Sequence, residues 1–264
     1  MNRPLILLSN DDGYSAAGIT ILAETLAEVA DVWMVAPDGE RSATSHSLSL
    51  HTPLRVKDVG HQRFSVDGTP ADCVYLALNE LLPRAPALVV SGINHGANLG
   101  TDVLYSGTVG AAMEGALVGI PAVAVSLCLS DDHRERSDAT DHFRAAANFT
   151  TTLLMRLLAT PLEPGILLNV NCPANGTGFA GTRVCRLGYT NWSGSVESRT
   201  DPRGRPYYWI GGERNRTENE GDSDAAAVAK GFVAITPIHY DLTFEGAFAQ
   251  VKELSLEVTG ACVS

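Results

Sequence analysis

Residues 5–37 read LILLSNDDGYSAAGITILAETLAEVADVWMVAP, and this stretch decides the fold. Leu5–Ser9 is an apolar run of strand length. Ile19, Leu22, Leu26 and Val29 then recur at helical spacing. Asp31–Pro37 is a second apolar run, closed by proline. Strand, helix and strand in this order open a parallel, doubly wound α/β sheet. Asn10-Asp11-Asp12-Gly13 stands where the first strand stops. Two adjacent carboxylates repel each other, and burial raises the cost of ionising both. The pair asks for a positive partner.

The same alternation continues along the chain. Residues 47–67, with SLSLHTPLRV and QRFSVDG around Gly60, alternate apolar and polar and predict a hairpin. Thr69-Pro70 opens a helix to about Leu82, with threonine at the cap and proline at the first helical position. ALVVSGIN (87–94) is a buried strand, Thr108–Val118 a helix of small residues, and PAVAVSL (121–127) another strand. A charged loop over 131–142 precedes a helix over 143–158 and the strand GILLNVNCP (165–173). Beyond Pro173 come shorter strands, TRVCRLG, PYYWIGG and GFVAITPI, between polar loops. No linker interrupts the chain, so residues 1–264 read as a single domain, with about 190–264 as an elaboration used in oligomerisation.

A net charge of −11 leaves no basic footprint for a nucleic-acid polymer. Any anionic substrate needs local positive charge from a metal, a helix N-terminus or a few arginines. The longest apolar stretch, Val118–Leu129, contains Gly119 and Pro121 and is too short for a bilayer. The apolar run after Met1-Asn2-Arg3-Pro4 is too short for a signal-peptide core. Cys73, Cys128, Cys172, Cys185 and Cys262 form no C-x-x-C pair and read as reduced thiols of a cytoplasmic protein.

Ligands of open α/β sheets bind beyond the carboxyl ends of the strands. Three polar loops follow predicted parallel strands and so share one rim. They are Asn10–Gly13, then Asp38–His46, then Asn94–Asn98 leading to Tyr105–Thr108. Asn-Asp-Asp-Gly alone is good turn chemistry. With its neighbours it is also a site for a hard cation. Asp11 and Asp12 supply charge, while Ser42 and Asn94 supply neutral oxygens, a set suited to magnesium or manganese. Ser106-Gly107-Thr108 opens a helix whose free N–H groups form a phosphate cradle, although a plain Ser/Thr cap looks the same. Asn98 and Ser45 are further donors to phosphate oxygens. His46 and His95 rank below the oxygens as ligands and are candidates for substrate binding and for protonating the leaving group.

The sequence lacks a P-loop, a G-x-G-x-x-G after the first strand, a G-x-S-x-G elbow and zinc-site spacing. LILLSNDDGYSAAGI, VAPDGERSATSHSLSL, GTPADCVYLAL, the 90–126 stretch and GDSDAAAVAKGFVAITPI, in this order, resemble the SurE-type survival proteins, which are 5′/3′-nucleotidases. Alanine stands at position 17, where that family often has proline. The resemblance implies a Rossmann-like three-layer α/β sandwich with a mostly parallel sheet, a β-hairpin and a C-terminal extension. It implies a cytoplasmic phosphatase of nucleoside 5′- and 3′-monophosphates and, for some members, short polyphosphate. One divalent ion per subunit would rest on Asp11, Asp12, Ser42 and Asn94, and phosphate on Asn98, Ser106, Gly107 and Thr108. It also implies a homodimer or homotetramer assembled through the hairpin and tail.

The expected chemistry is in-line attack by water. Asp11 and Asp12 carry it, with Asp12 orienting the water or, alternatively, Asp11 attacking phosphorus itself. The absence of a D-x-D arrangement favours water. Two rivals share the metal-on-phosphate logic: a sugar-nucleotide transferase or hydrolase, and a nucleotide sensor without turnover.

Overall fold

The computed structural model describes residues 3–129, 139–174, 178–189, 191–192, 194–211, 214–215 and 221–254. Strand β1 (Leu5–Ser9) is buried along its whole length. That is the signature of a strand covered on both faces. It pairs in parallel with β2 (Asp31–Pro37) on one side and β5 (Leu88–His95) on the other. The other strands of the central sheet are β3 (Val56–Gly60), β4 (Arg63–Val66), β6 (Ala122–Cys128), β7 (Ile166–Pro173), β8 (Thr182–Val184) and β13 (Val233–His239). The nine strands run in the order β3-β4-β2-β1-β5-β6-β7-β13-β8. From β4 to β7 every pairing is parallel, while β3 and β13 run antiparallel to their neighbours β4 and β7. The chain builds outward from β1 to β4, returns to β5, then builds outward the other way. The strand order therefore reverses between β1 and β5, where such sheets bind ligands.

Helices α1 (Ala17–Leu26) and α4 (Ala139–Ala159) cover one face; α2 (Pro70–Leu76) and α3 (Gly107–Leu117) cover the other. Ile19, Leu22 and Leu26 are the core stripe of α1 and pack against Ile6, Leu8, Val90 and Phe143. Gly18 lies against the sheet itself: a Cβ there would stand 2.0 Å from the Ile93 carbonyl oxygen. On the other face Gly115 of α3 rests on Val89, where a Cβ would approach to 2.7 Å. Glycine at both places lets a helix sit close to the strands. At the start of α2, Thr69 accepts the Asp72 N–H at 3.0 Å and Asp72 accepts the Thr69 N–H at 2.8 Å. This reciprocal cap contributes about 1 kcal/mol.

The sequence and the structure differ in several stretches, and the helix expected to run to about Leu82 is α-helical only to Leu76. Residues 47–55 are not a strand; the hairpin is confined to β3 and β4. The reason is local: Asp72 accepts the Ser49 N–H at 2.8 Å and the Thr69 hydroxyl donates to the Ser47 carbonyl at 2.7 Å. These side-chain bonds take backbone groups that a ladder would need. Helix α4 begins at Ala139, four residues before the sequence expectation; residues 130–138 of the charged loop lie outside the described residues.

The chain after residue 190 has two fates. Strand β13 enters the central sheet, with α5 (Asp224–Ala229) packed beside it. Strands β10 (Ser195–Thr200) and β11 (Pro206–Gly211) form a separate two-stranded hairpin, exposed throughout. The short strands β9 (Asn191–Trp192) and β12 (Arg214–Asn215) pair with each other, and α6 (Phe248–Leu254) closes the described chain. The four described cysteines are free, and no described helix is long and apolar enough to cross a membrane.

Candidate active site

The three loops predicted from the strand ends meet at the switch between β1 and β5. Asp11 carries the junction. Its Oδ1 accepts the Thr108 hydroxyl at 2.5 Å and its Oδ2 accepts the Thr108 N–H at 3.1 Å. Its carbonyl accepts the Arg41 N–H at 2.7 Å, which ties down the loop after β2 one residue before Ser42. The Asp12 carboxylate accepts the His95 N–H at 3.0 Å, one residue after Asn94. Ser42 follows Arg41 and Asn94 precedes His95, so each is next in the chain to a residue bonded to the Asp11–Asp12 turn. Asn10 closes its own turn, donating to the Gly13 carbonyl at 2.9 Å and accepting the Gly13 N–H at 3.2 Å.

Asp11 is only 7% exposed. Burial pushes its carboxyl above the usual range, and the Thr108 bonds pull partly back. The charged neighbour acting on it is Glu40, which pushes the same way as burial. A buried carboxylate next to a second one, with its charge offset by amide and hydroxyl bonds alone, fits a cation. Among the described residues no three His, Cys, Asp or Glu side chains gather into a metal cluster. The predicted residues Asp11, Asp12, Ser42 and Asn94 carry two carboxylates, a hydroxyl and an amide oxygen, a hard donor chemistry that suits magnesium or manganese. The Asn94 amide N–H donates to the Gly96 carbonyl at 2.9 Å, which turns its Oδ1 to the other side. The Ser42 hydroxyl donates to Glu40 at 2.6 Å, so both its lone pairs stay available.

Helix α3 starts beside this pair. Ser106 is its N-cap and accepts the Val109 N–H at 3.1 Å. Gly107 follows where the first N–H groups of a helix lack intrahelical acceptors. A Cβ on Gly107 would lie 2.9 Å from both the Asp11 Cβ and the Thr44 Oγ1, so only glycine allows the helix this close to the carboxylate.

Three other predicted residues point their polar groups elsewhere. The Asn98 amide donates to the Ser126 hydroxyl at 2.8 Å, and its carbonyl accepts from Asn169 and Asn171. The Ser45 hydroxyl donates to the Leu104 carbonyl at 2.6 Å. The His46 Nε2 meets Glu114 Oε1 at 2.6 Å, and a Cβ on Gly110 would stand 3.0 Å from the His46 Cα. These two contacts lay the loop after β2 along α3. The His95 ring stacks on Phe143, with centroids 5.8 Å apart. Sequence reasoning missed Thr44, Glu114 and the paired Asn169 and Asn171. Two asparagines alternating inside the apolar strand ILLNVNCP were a visible signal for the last pair. A cavity of about 550 Å³ lies at the opposite end of the strands, between Arg3, Asp31 and Arg63, away from every predicted site residue.

The family model described as survival protein SurE matches residues 6–194. The chain belongs to the SurE family. A relative from Myxococcus xanthus named 5′-nucleotidase SurE is 50% identical over 248 residues, covering 93% of this chain and 91% of the relative. One of the same name from Synechococcus is 47% identical over 264 residues, covering 97% of this chain and 99% of the relative. The crystal structure of the SurE protein from Aquifex aeolicus superposes with a TM-score of 0.82 at 38% identity, covering 95% of this chain and 99% of that one. The SurE match contains every residue predicted for the site, while α5 and β13 lie beyond it.

Proposed function

We infer that the chain is a phosphoric monoester hydrolase that releases phosphate from nucleoside 5′-monophosphates, with 3′-monophosphates and short polyphosphate as further substrates. The observation that supports it best is the meeting of Asp11 with Thr108. It sets a buried carboxylate against the N-terminus of α3. The relatives' shared name supplies the nucleotide.

Asp11, Asp12, Ser42 and Asn94 would hold one divalent ion, magnesium or manganese. When bound, it neutralises the carboxylates and polarises the phosphoryl group. At the N-terminus of α3 the Thr108 N–H is held by Asp11 and the Ser106 N–H by the Val103 carbonyl, so the helix offers phosphate oxygens the Gly107 N–H and the positive end of its dipole. Each Asp11 oxygen accepts one Thr108 donor and keeps a lone pair for the ion, while the less buried Asp12 would orient a water. That water attacks phosphorus in line, the ester bond breaks, and the nucleoside oxygen takes a proton. The two candidate acids are His95, whose backbone N–H donates to Asp12 and whose ring stacks on Phe143, and His46, a ring nitrogen of which meets Glu114. Much of the rate enhancement comes from positioning and charge neutralisation.

Phosphate release from a panel of nucleoside 5′- and 3′-monophosphates tests this. Release that disappears with EDTA and returns with magnesium or manganese is the expected result. No release under any metal would replace the hydrolase by a nucleotide sensor.

The described chain also presents an apolar surface that fits a second copy. Val196, Tyr208, Trp209 and Ile210 of the β10–β11 hairpin are each at least 60% exposed, as are Leu242, Phe244 and Leu254 near the tail. A lone two-stranded hairpin is marginal in water, so we propose that it is covered in a homodimer or homotetramer. Lysine at both Val196 and Ile210, cross-strand partners, is expected to lower the mass seen by light scattering. An unchanged mass would remove the hairpin from the interface. The free thiols fit a reducing compartment, and we place the chain in the cytoplasm.

A further inference from the structure

Asp224 is fully buried, lies outside the residues matched by the family model, and has no part in the chemistry above. Its neighbour Ser223 already caps α5, accepting the Ala226 N–H at 3.2 Å. The Asp224 carboxylate does something else. Oδ1 accepts the N–H groups of Ala225 at 2.8 Å and Gly188 at 2.9 Å. Oδ2 accepts the Gly100 N–H at 2.8 Å, from 124 residues earlier in the chain. Gly100 has φ +56°, a left-handed backbone that glycine adopts freely.

Gly100 opens the 3₁₀ turn, Gly100–Leu104, that leads through Tyr105 to the Ser106 cap of α3. Bonds from remote parts of the chain hold the segment along its length. Asn169 and Asn171 grip the Asn98 carbonyl at 2.9 Å each. Ser45 binds the Leu104 and Tyr105 carbonyls. Asp224 holds the middle. Charge-assisted bonds from a carboxylate to backbone N–H groups are about twice as strong as neutral ones. We propose that Asp224 is a positioning residue: through Gly100 it sets where the N-terminus of α3 presents the Gly107 N–H and its positive dipole end to phosphate. This rests on the phosphate-cradle reading given above. It also ties the site to Gly188 and α5, in the part of the chain that leads into the exposed hairpin.

Asp224→Asn is the first test, because asparagine keeps the shape but has one acceptor oxygen. Either Gly100 or the Gly188–Ala225 pair then faces an NH₂ group. The expected results are faster hydrogen exchange over residues 98–106 and inorganic phosphate bound about tenfold more weakly in the presence of Mn²⁺. Mn²⁺ binding falls by a smaller factor than phosphate binding, because α3 reaches Asp11 only through Thr108. Gly188→Ala is the milder second variant. Its Cβ would stand 3.2 Å from Asp224 Oδ1 and nudge the carboxylate without removing it. It should weaken phosphate by a smaller factor, about twofold.

Unchanged exchange, or unchanged phosphate affinity, in either folded variant overturns the role of Asp224. So does a loss of Mn²⁺ binding equal to the loss of phosphate. Wild-type protein that neither binds nor releases phosphate would instead overturn the nucleotidase reading. Exchange over 98–106 still reports on the clamp in that case.

Discussion

Asp11→Asn is expected to lower metal-dependent phosphate release from nucleoside 5′-monophosphates at least about 100-fold, the scale of losing one preorganised charge-stabilising group. The substitution is nearly isosteric, so it isolates charge from shape. In the wild type each Asp11 oxygen accepts a different Thr108 donor. Asparagine has one acceptor, so one Thr108 donor meets an NH₂ group, at a cost of about 1–3 kcal/mol. Against that, the variant no longer buries a charge that burial and Glu40 both disfavour. The two effects oppose each other in the metal-free protein, and folding should survive. They do not oppose each other in function, because the lost charge is the one the cation needs. A titration with Mn²⁺, followed by phosphate release at saturating metal, separates weaker binding from slower turnover. Wild-type release in the variant would place the site elsewhere.

Gly18→Ala is expected to be strongly destabilising despite its small size. Helix propensity predicts the opposite sign, since alanine in a helix interior is favoured over glycine by about 1 kcal/mol. Packing decides here. The added Cβ would stand 2.0 Å from the Ile93 carbonyl oxygen and 3.0 Å from the Phe143 ring. A backbone atom cannot rotate aside, so α1 must lift from β5. Overpacking of this kind costs about 3 kcal/mol or more, which corresponds to a Tm lowered by roughly 6–12 °C in a domain of this size. The displaced strand carries Asn94 and His95, so phosphate release should fall with it. Thermal unfolding followed by circular dichroism checks the sign. An unchanged or raised Tm would mean that α1 stands further from the sheet.

The sequence made the sheet legible wherever strands are buried on both faces. Leu5–Ser9 and Asp31–Pro37 are apolar runs of strand length bounded by turn residues, and the strand ending at Pro173 is interrupted only by Asn169 and Asn171 on one face. It was misleading at 47–55, where SLSLHT has the alternation of a strand but its backbone is held by Asp72 and Thr69. For the site, topology did most of the work. Strand order determines which loops are neighbours, so the Asp11, Ser42, Asn94 and Ser106 loops could be placed together before any distance was known. Side-chain direction was not legible. His46 turns along α3 to Glu114, and the Asn98 amide turns inward to Ser126. Each depends on a partner remote in the chain, which no local pattern reveals. Asp224 is the extreme case, because DSDAAAVA reads as an ordinary helix start.

The position of β13 bears on how the chain emerges from the ribosome. Strand β7 is finished at Pro173, yet its antiparallel partner ends only at His239. Strand β8 is made earlier than β13 but pairs only with it. For on the order of several seconds of synthesis, β7 is an uncovered apolar edge, and β8 has nothing to join. Bare edges of this kind recruit other chains. The last strand to appear is therefore the one that seals the sheet. A nascent chain halted before Val233 would hold every catalytic candidate and still be prone to aggregate.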